Sequence, residues 1–118
     1  MFEKKDEPTV PVSPVKLDLE SQKKNIAENL RECSDNINRR IQMIDEKMIK
    51  ADDDLKRSLR ELRTKLTKEK RRVDKSLTEV QKSSEDTWQV VNKKASIILT
   101  EAKIQTQKVE ERVEDLIE

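Results

Sequence analysis

The side chains with the best claim to chemistry are one thiol, one run of carboxylates and one row of cations. Cys33 is the single cysteine, and the chain has no histidine. A nucleophilic thiolate needs an accessible, electropositive setting and a nearby base. Cys33 instead falls between Leu30 and Ile37 on an apolar stripe, where a small buried hydrophobe is expected. Without imidazole, the usual base near neutrality and the commonest zinc ligand are both missing. Asp52, Asp53 and Asp54 offer carboxylates for a cation, but the glycine-containing calcium loop is absent. They read as the start of a helix, whose N-terminal dipole favours anions. No catalytic, cofactor or metal site is expected, and the chain reads as non-enzymatic, with no small-molecule substrate.

The cations are more distinctive. Between Leu55 and Lys75 stand Lys56, Arg57, Arg60, Arg63, Lys65, Lys68, Lys70, Arg71, Arg72 and Lys75, against Glu61, Glu69 and Asp74. That is ten bases and three acids, a local charge of +7, while residues 1–54 and 79–118 each carry −3. Such a row could meet a phosphate backbone through counterion release, or lie on an anionic membrane surface. It could equally match acidic helices on either side. No aromatics interleave for stacking on single strands, and no base-reading motif accompanies the row.

These groups must be positioned by helices. Charged residues make up 43% of the chain, aromatics 2%, and there is no glycine and no tyrosine. Sheets need turns with positive φ and strands rich in β-branched and aromatic residues, and neither is available. Disorder competes as the explanation of so polar a chain. Apolar periodicity over residues 20–117 argues against it. With net charge +1, one cysteine, no apolar leader and no run long enough to span a bilayer, a cytoplasmic protein is expected.

Residues 1–15 read as a disordered tail in which Pro8, Pro11 and Pro14 make two P-x-x-P matches, a sparse docking signal or a plain leader. Beyond Pro14 there is neither proline nor glycine. Ile26, Ile44, Leu62, Val80, Ile98 and Leu116 recur every 18 residues. So do Ile37, Leu55, Val73, Val91 and Val109, and so do Ile41, Leu59, Leu77, Ala95 and Val113. Eighteen residues are five turns of α-helix, so the stripe runs straight rather than supercoiling.

Two places carry helix-end grammar. Lys47 and Lys50 precede the three aspartates; Lys82 precedes Ser83, Ser84, Glu85 and Asp86, with Ser83 and Asp86 spaced as a capping pair. Cutting there gives helices near 17–50, 53–82 and 84–117 within a coiled-coil domain, 16–118. The fold class is all-α: an antiparallel three-helix coiled-coil bundle, with an extended rod or helical hairpin as the alternative because the stripe keeps phase through both junctions. In the bundle, Lys68, Arg71 and Lys75 would face Glu28, Glu32 and Asp35, Lys56 and Arg57 would face Glu110 and Glu111, and Arg63 would approach Arg40. Trp88, one turn beyond Ser84, is expected to anchor one end of the core, with an exposed partner hot spot as the other reading.

The segment Asp86–Val113 resembles the Trp-containing amphipathic helices of small, charged bacterial coiled-coil proteins, a likeness of helix pattern that identifies no family. The expected function is structural or adaptor work through helix–helix contact, by self-association or with a partner helix. The alternative is binding of nucleic acid or membrane headgroups through helix 56–75.

Overall fold

The computed structural model describes residues 14–117. Three helices form the fold: α1 (Pro14–Ile49), α2 (Asp53–Lys82) and α3 (Glu85–Ile117). All three pack on one another, with the α1–α3 seam the sparsest. The radius of gyration is 19.8 Å and the extents are 67 × 32 × 18 Å. The chain therefore folds back as a bundle, and the rod is ruled out. α1 begins at Pro14, earlier than expected; a proline is tolerated in a first turn because its missing N–H would have no intrahelical partner. The remaining P-x-x-P residues lie outside the described segment.

The chain reverses twice without glycine, and the residue that caps α2 at each reversal is extended. Asp52 caps α2 from an extended conformation (φ −74°, ψ 177°), its side chain accepting from the Leu55 amide at 2.8 Å. Ser83 ends α2 in a similar conformation (φ −69°, ψ 149°), and its hydroxyl donates to the Val80 carbonyl at 2.7 Å. The expected Ser83–Asp86 capping pair does not form. Thr87 takes that part, its hydroxyl accepting from the Ser84 amide at 3.0 Å.

The stripe becomes the core. Ile37, Ile41, Ile44, Leu59, Leu62, Val73, Val80, Trp88, Ile98 and Val109 are buried, and Ile26, Leu55, Leu77, Val91, Val113 and Leu116 pack half-buried against them. Ala27, Leu30, Cys33, Leu66, Ala95, Leu99 and Ala102 complete the cluster. Three hydroxyl residues, Ser34, Ser76 and Thr106, share the interior. Thr106 hides its hydroxyl by donating to the Ala102 carbonyl at 2.7 Å, which leaves its methyl to pack.

The helix register differs from the charge-matched expectation. Arg63 meets Asp45, at 2.6 and 3.3 Å, instead of Arg40, and Ser34 donates to Asp74 at 2.7 Å in the same register. Arg40 turns to α3 and pairs with Glu110 at 2.7 Å. None of the expected pairings of Lys68, Arg71 and Lys75 with α1, or of Lys56 and Arg57 with α3, forms among the described residues. The reason is geometric. At 100° per residue, Arg57, Lys68, Arg71 and Lys75 point away from the core and cannot reach a neighbouring helix. Apolar layers set the register, and exposed pairs worth about 0–1 kcal/mol do not override them.

Candidate interaction surfaces

Each residue with a chemical claim now has a place. Cys33 is 7% exposed, and burial pushes its thiol above the ordinary value, with Lys103 pulling it down and Glu69 raising it further. Its surroundings disfavour the thiolate a nucleophile requires. Asp52 is a cap, and Asp53 and Asp54 fill the first turn of α2. Among the described residues no group of three or more His, Cys, Asp or Glu side chains is arranged to hold a metal ion. No helix among them is long and apolar enough to cross a membrane.

Trp88 is buried to 6% exposure, and its indole N–H donates to Gln22 Oε1 at 2.7 Å. Lys23, beside Gln22, reaches the Ser83 carbonyl at 2.8 Å. These bonds tie the start of α3 and the end of α2 to the first part of α1, which makes Trp88 an end anchor rather than an exposed hot spot.

Within the core wall, Ser34, Asp74 and Lys70 form a chain of their own: Lys70 donates to Asp74 at 2.8 Å, opposite the Ser34 bond. Burial pushes the Asp74 carboxyl up, but the bonds from Lys70 and Ser34 and the Lys70 charge outweigh it, so its pKa lies below the ordinary value. Neither Ser34 nor Asp74 stood out in the sequence. The only available signal was Ser34 following Cys33 on the buried side of α1. A carboxylate with a lowered folded-state pKa adds stability that is full above its unfolded pKa and fades as pH falls through the folded one. Asp74→Asn is therefore expected to cost about 1 kcal/mol at pH 7. The deficit should shrink toward pH 3, which paired thermal melts at the two pH values would check. A deficit of equal size at both would remove the charge from the account.

The ten cations of 56–75 do not act as one set. Arg63 pairs with Asp45, Arg72 bridges Glu69 (3.2 Å) and Glu101 (2.6 Å), Lys70 pairs with Asp74 and Arg57 with Asp54 at 3.7 Å. Hydrogen bonds from Arg63 to Asp45 and from Arg72 to Glu101 raise both guanidinium pKa values further, so neither group loses its charge. Among the described residues Lys56, Arg60, Lys65, Lys68, Arg71 and Lys75 make no ion pair.

Two clefts open along the sparse α1–α3 seam. The larger, about 420 Å³, is lined by Glu32, Cys33, Arg39, Lys103 and Glu110 among others, with charge of both signs. The smaller, about 230 Å³, has a floor of Met43, Ile44, Val109, Val113 and Ile117 under Arg40 and Lys47. The buried Nε of Arg40 there has no hydrogen-bond partner. Neither cleft gathers the acid, base and nucleophile that a reaction needs.

The outer face of α3 is different again. Val90, Ile97 and Ile104 are 72%, 50% and 47% exposed. They repeat every seven residues, on the side of α3 directly away from its buried residues Trp88, Ala95, Ala102 and Thr106. Comparison with protein-family models, with curated proteins and with solved structures finds no match.

Proposed function

We propose that this is a non-enzymatic structural or adaptor protein that works through helix–helix contact, and that α3 pairs with α3 of a second copy. The observation that carries this reading is the exposed seven-residue stripe Val90, Ile97 and Ile104. The core stripe repeats every 18 residues and suits straight packing within one bundle. A spacing of seven suits a coiled partner.

Charge complementarity supports a second copy as that partner. An antiparallel pairing centred on Ile97 sets Val90 against the other copy's Ile104. It also brings Lys93 toward the opposite Glu101 and Asp86 toward the opposite Lys108. Lys93, Asp86 and Lys108 are exposed and make no ion pair among the described residues. A two-fold axis repeats each contact, so one stripe serves as both halves of the interface.

The stripe is short, so dissociation in the micromolar range or weaker is expected, about 10–100 µM. Molar mass from light scattering, followed from about 5 to 500 µM, tests it. The mass should climb toward twice that of the monomer, and Ile97→Lys should hold it at the monomer with an unchanged melt at low concentration. A monomer at every concentration, or an Ile97→Lys protein that dimerises as before, would overturn the proposal.

A second reading, binding of an anionic surface through α2, is favoured by the six cations of 56–75 that the bundle leaves unpaired.

A further inference from the structure

Most of the exposed cations of α2 form a single file. On a helical projection Arg57, Arg60, Thr64, Lys68, Arg71, Lys75, Thr78 and Lys82 follow one another at steps of three or four residues along the ridge opposite the buried Leu59, Leu66, Val73 and Val80. All eight are exposed. The file extends beyond the basic run to Lys82 and leaves out the unpaired Lys56 and Lys65, which lie on the flanks of α2, and Arg63, Lys70 and Arg72, which turn aside to Asp45, Asp74 and Glu101. Its two hydroxyls are turned onto their own backbone: Thr64 donates to the Arg60 carbonyl at 3.0 Å and Thr78 to the Asp74 carbonyl at 3.2 Å. Acids touch the file only at its margins. Asp54 pairs with Arg57, Glu61 sits to one side, and Glu79 pairs with Lys94 of α3. The ridge is about 37 Å long at 1.5 Å per residue.

We propose that this ridge is a docking surface for the sugar–phosphate backbone of double-stranded nucleic acid, bound without regard to sequence. The proposal rests on the reading of α2 as an anion-binding helix and narrows it to one partner. Chemistry on the ridge decides among polyanions. None of the exposed large hydrophobic residues lies on α2; Met43, Ile49, Val90, Ile97, Ile104 and Ile117 all belong to α1 or α3. A protein interface needs apolar or aromatic anchors at its centre, and the ridge has none. A helix lying in a membrane surface must sink an apolar face into it, whereas the apolar face of α2 is already buried in the bundle. Single strands are held by stacking on aromatic rings, and none is present on α2. A duplex backbone asks only for a row of cations, preferably on a straight, rigid support. The ridge spans roughly 11 base pairs at 3.4 Å each.

The test is fluorescence anisotropy of a mixed-sequence duplex of about 20 base pairs, with the full chain as titrant. Binding near 10 µM at about 50 mM salt is expected, weakening on the order of 100-fold by about 200 mM if four phosphates are contacted. The variant carrying Arg60→Gln, Lys68→Gln, Arg71→Gln and Lys75→Gln should lose binding by about 100-fold or more while its circular dichroism and melt stay as before. The four side chains make no ion pair among the described residues, so the fold does not depend on them. A control variant removes equal charge elsewhere: Lys24→Gln, Lys93→Gln, Lys103→Gln and Lys108→Gln. It should retain most binding; an equal loss in both variants would overturn the ridge as the site. Binding only to vesicles of anionic lipid, with none to the duplex, would overturn the nucleic-acid partner while leaving α2 an anion binder. Binding to neither would overturn both.

Discussion

Trp88→Ala is expected to cost about 3–5 kcal/mol and to lower the melting temperature by roughly 12–20 °C, read by circular dichroism. Trp88 is the chain's only tryptophan, and it is 6% exposed. Truncation removes the largest apolar side chain of the core and leaves a cavity between the starts of α1 and α3. It also breaks the 2.7 Å bond to Gln22. Among the described residues the same region also contributes buried Ala27 and Val80, half-buried Leu19, Ile26 and Val91, and the 2.8 Å contact from Lys23 to the Ser83 carbonyl. Trp88→Phe separates packing from hydrogen bonding. It keeps most of the buried area, so a loss of about 1–2 kcal/mol is expected. If Trp88→Ala melts like the parent, the indole does not anchor this end of the bundle.

Trp88 also shows what the sequence made legible. It lies one turn past a serine pair and on the apolar line, and both facts were readable from spacing alone. So was the stripe, because burial in a helix imposes a period that composition cannot hide. The reversals were readable from caps, even though the stripe keeps its phase through them. Phase across a two- or three-residue junction is simply a matter of its length. The missing glycines were no obstacle, since Asp52 and Ser83 both turn the chain from extended conformations that any residue adopts.

Register was not legible, and the physical reason is instructive. Matching charges along three helices treats every cation as able to reach inward. Lys68, Arg71 and Lys75 face solvent, so their signs say nothing about α1. Asp45, which meets Arg63, has no place in the charge-matched register, and Glu110, matched there to Lys56 and Arg57, meets Arg40 instead, because register is fixed by apolar interdigitation before any ion pair forms. The interior hydroxyls were missed for a related reason: Ser76 is 2% exposed and Thr106 5%, yet both residue types usually lie outside. For the candidate surfaces, the sequence supplied the cations. Which of the cations remain free, and which of them line up on the ridge opposite the core, depends on where three helices turn their sides.

The second large effect is expected at Leu66, where alanine should cost about 2.7–5 kcal/mol. Leu66 is 0% exposed at the middle of α2 and, in the register set by Arg63–Asp45, lies opposite the Ile41–Ile44 turn of α1. A native domain of ordinary stability has about 5–15 kcal/mol in total, and this core has few large side chains to spread the loss. The sharper expectation concerns what melts. α2 has 30 residues, and like charges stand four apart at Lys56/Arg60, Lys68/Arg72 and Arg71/Lys75. Such pairs weaken an isolated helix, so α2 holds its form mainly because its apolar side is packed. The same dependence binds α1 and α3 to α2. Leu66→Ala should therefore lower the midpoint of one cooperative transition that carries the whole helical signal, visible at 222 nm and in Trp88 fluorescence alike. Val90→Ala, on the outer face of α3, should shift that midpoint by less than about 0.5 kcal/mol. If Leu66→Ala instead removes about a third of the helicity in a separate early step, α2 folds on its neighbours rather than with them, and the bundle is a hairpin-like pair to which a third helix adds.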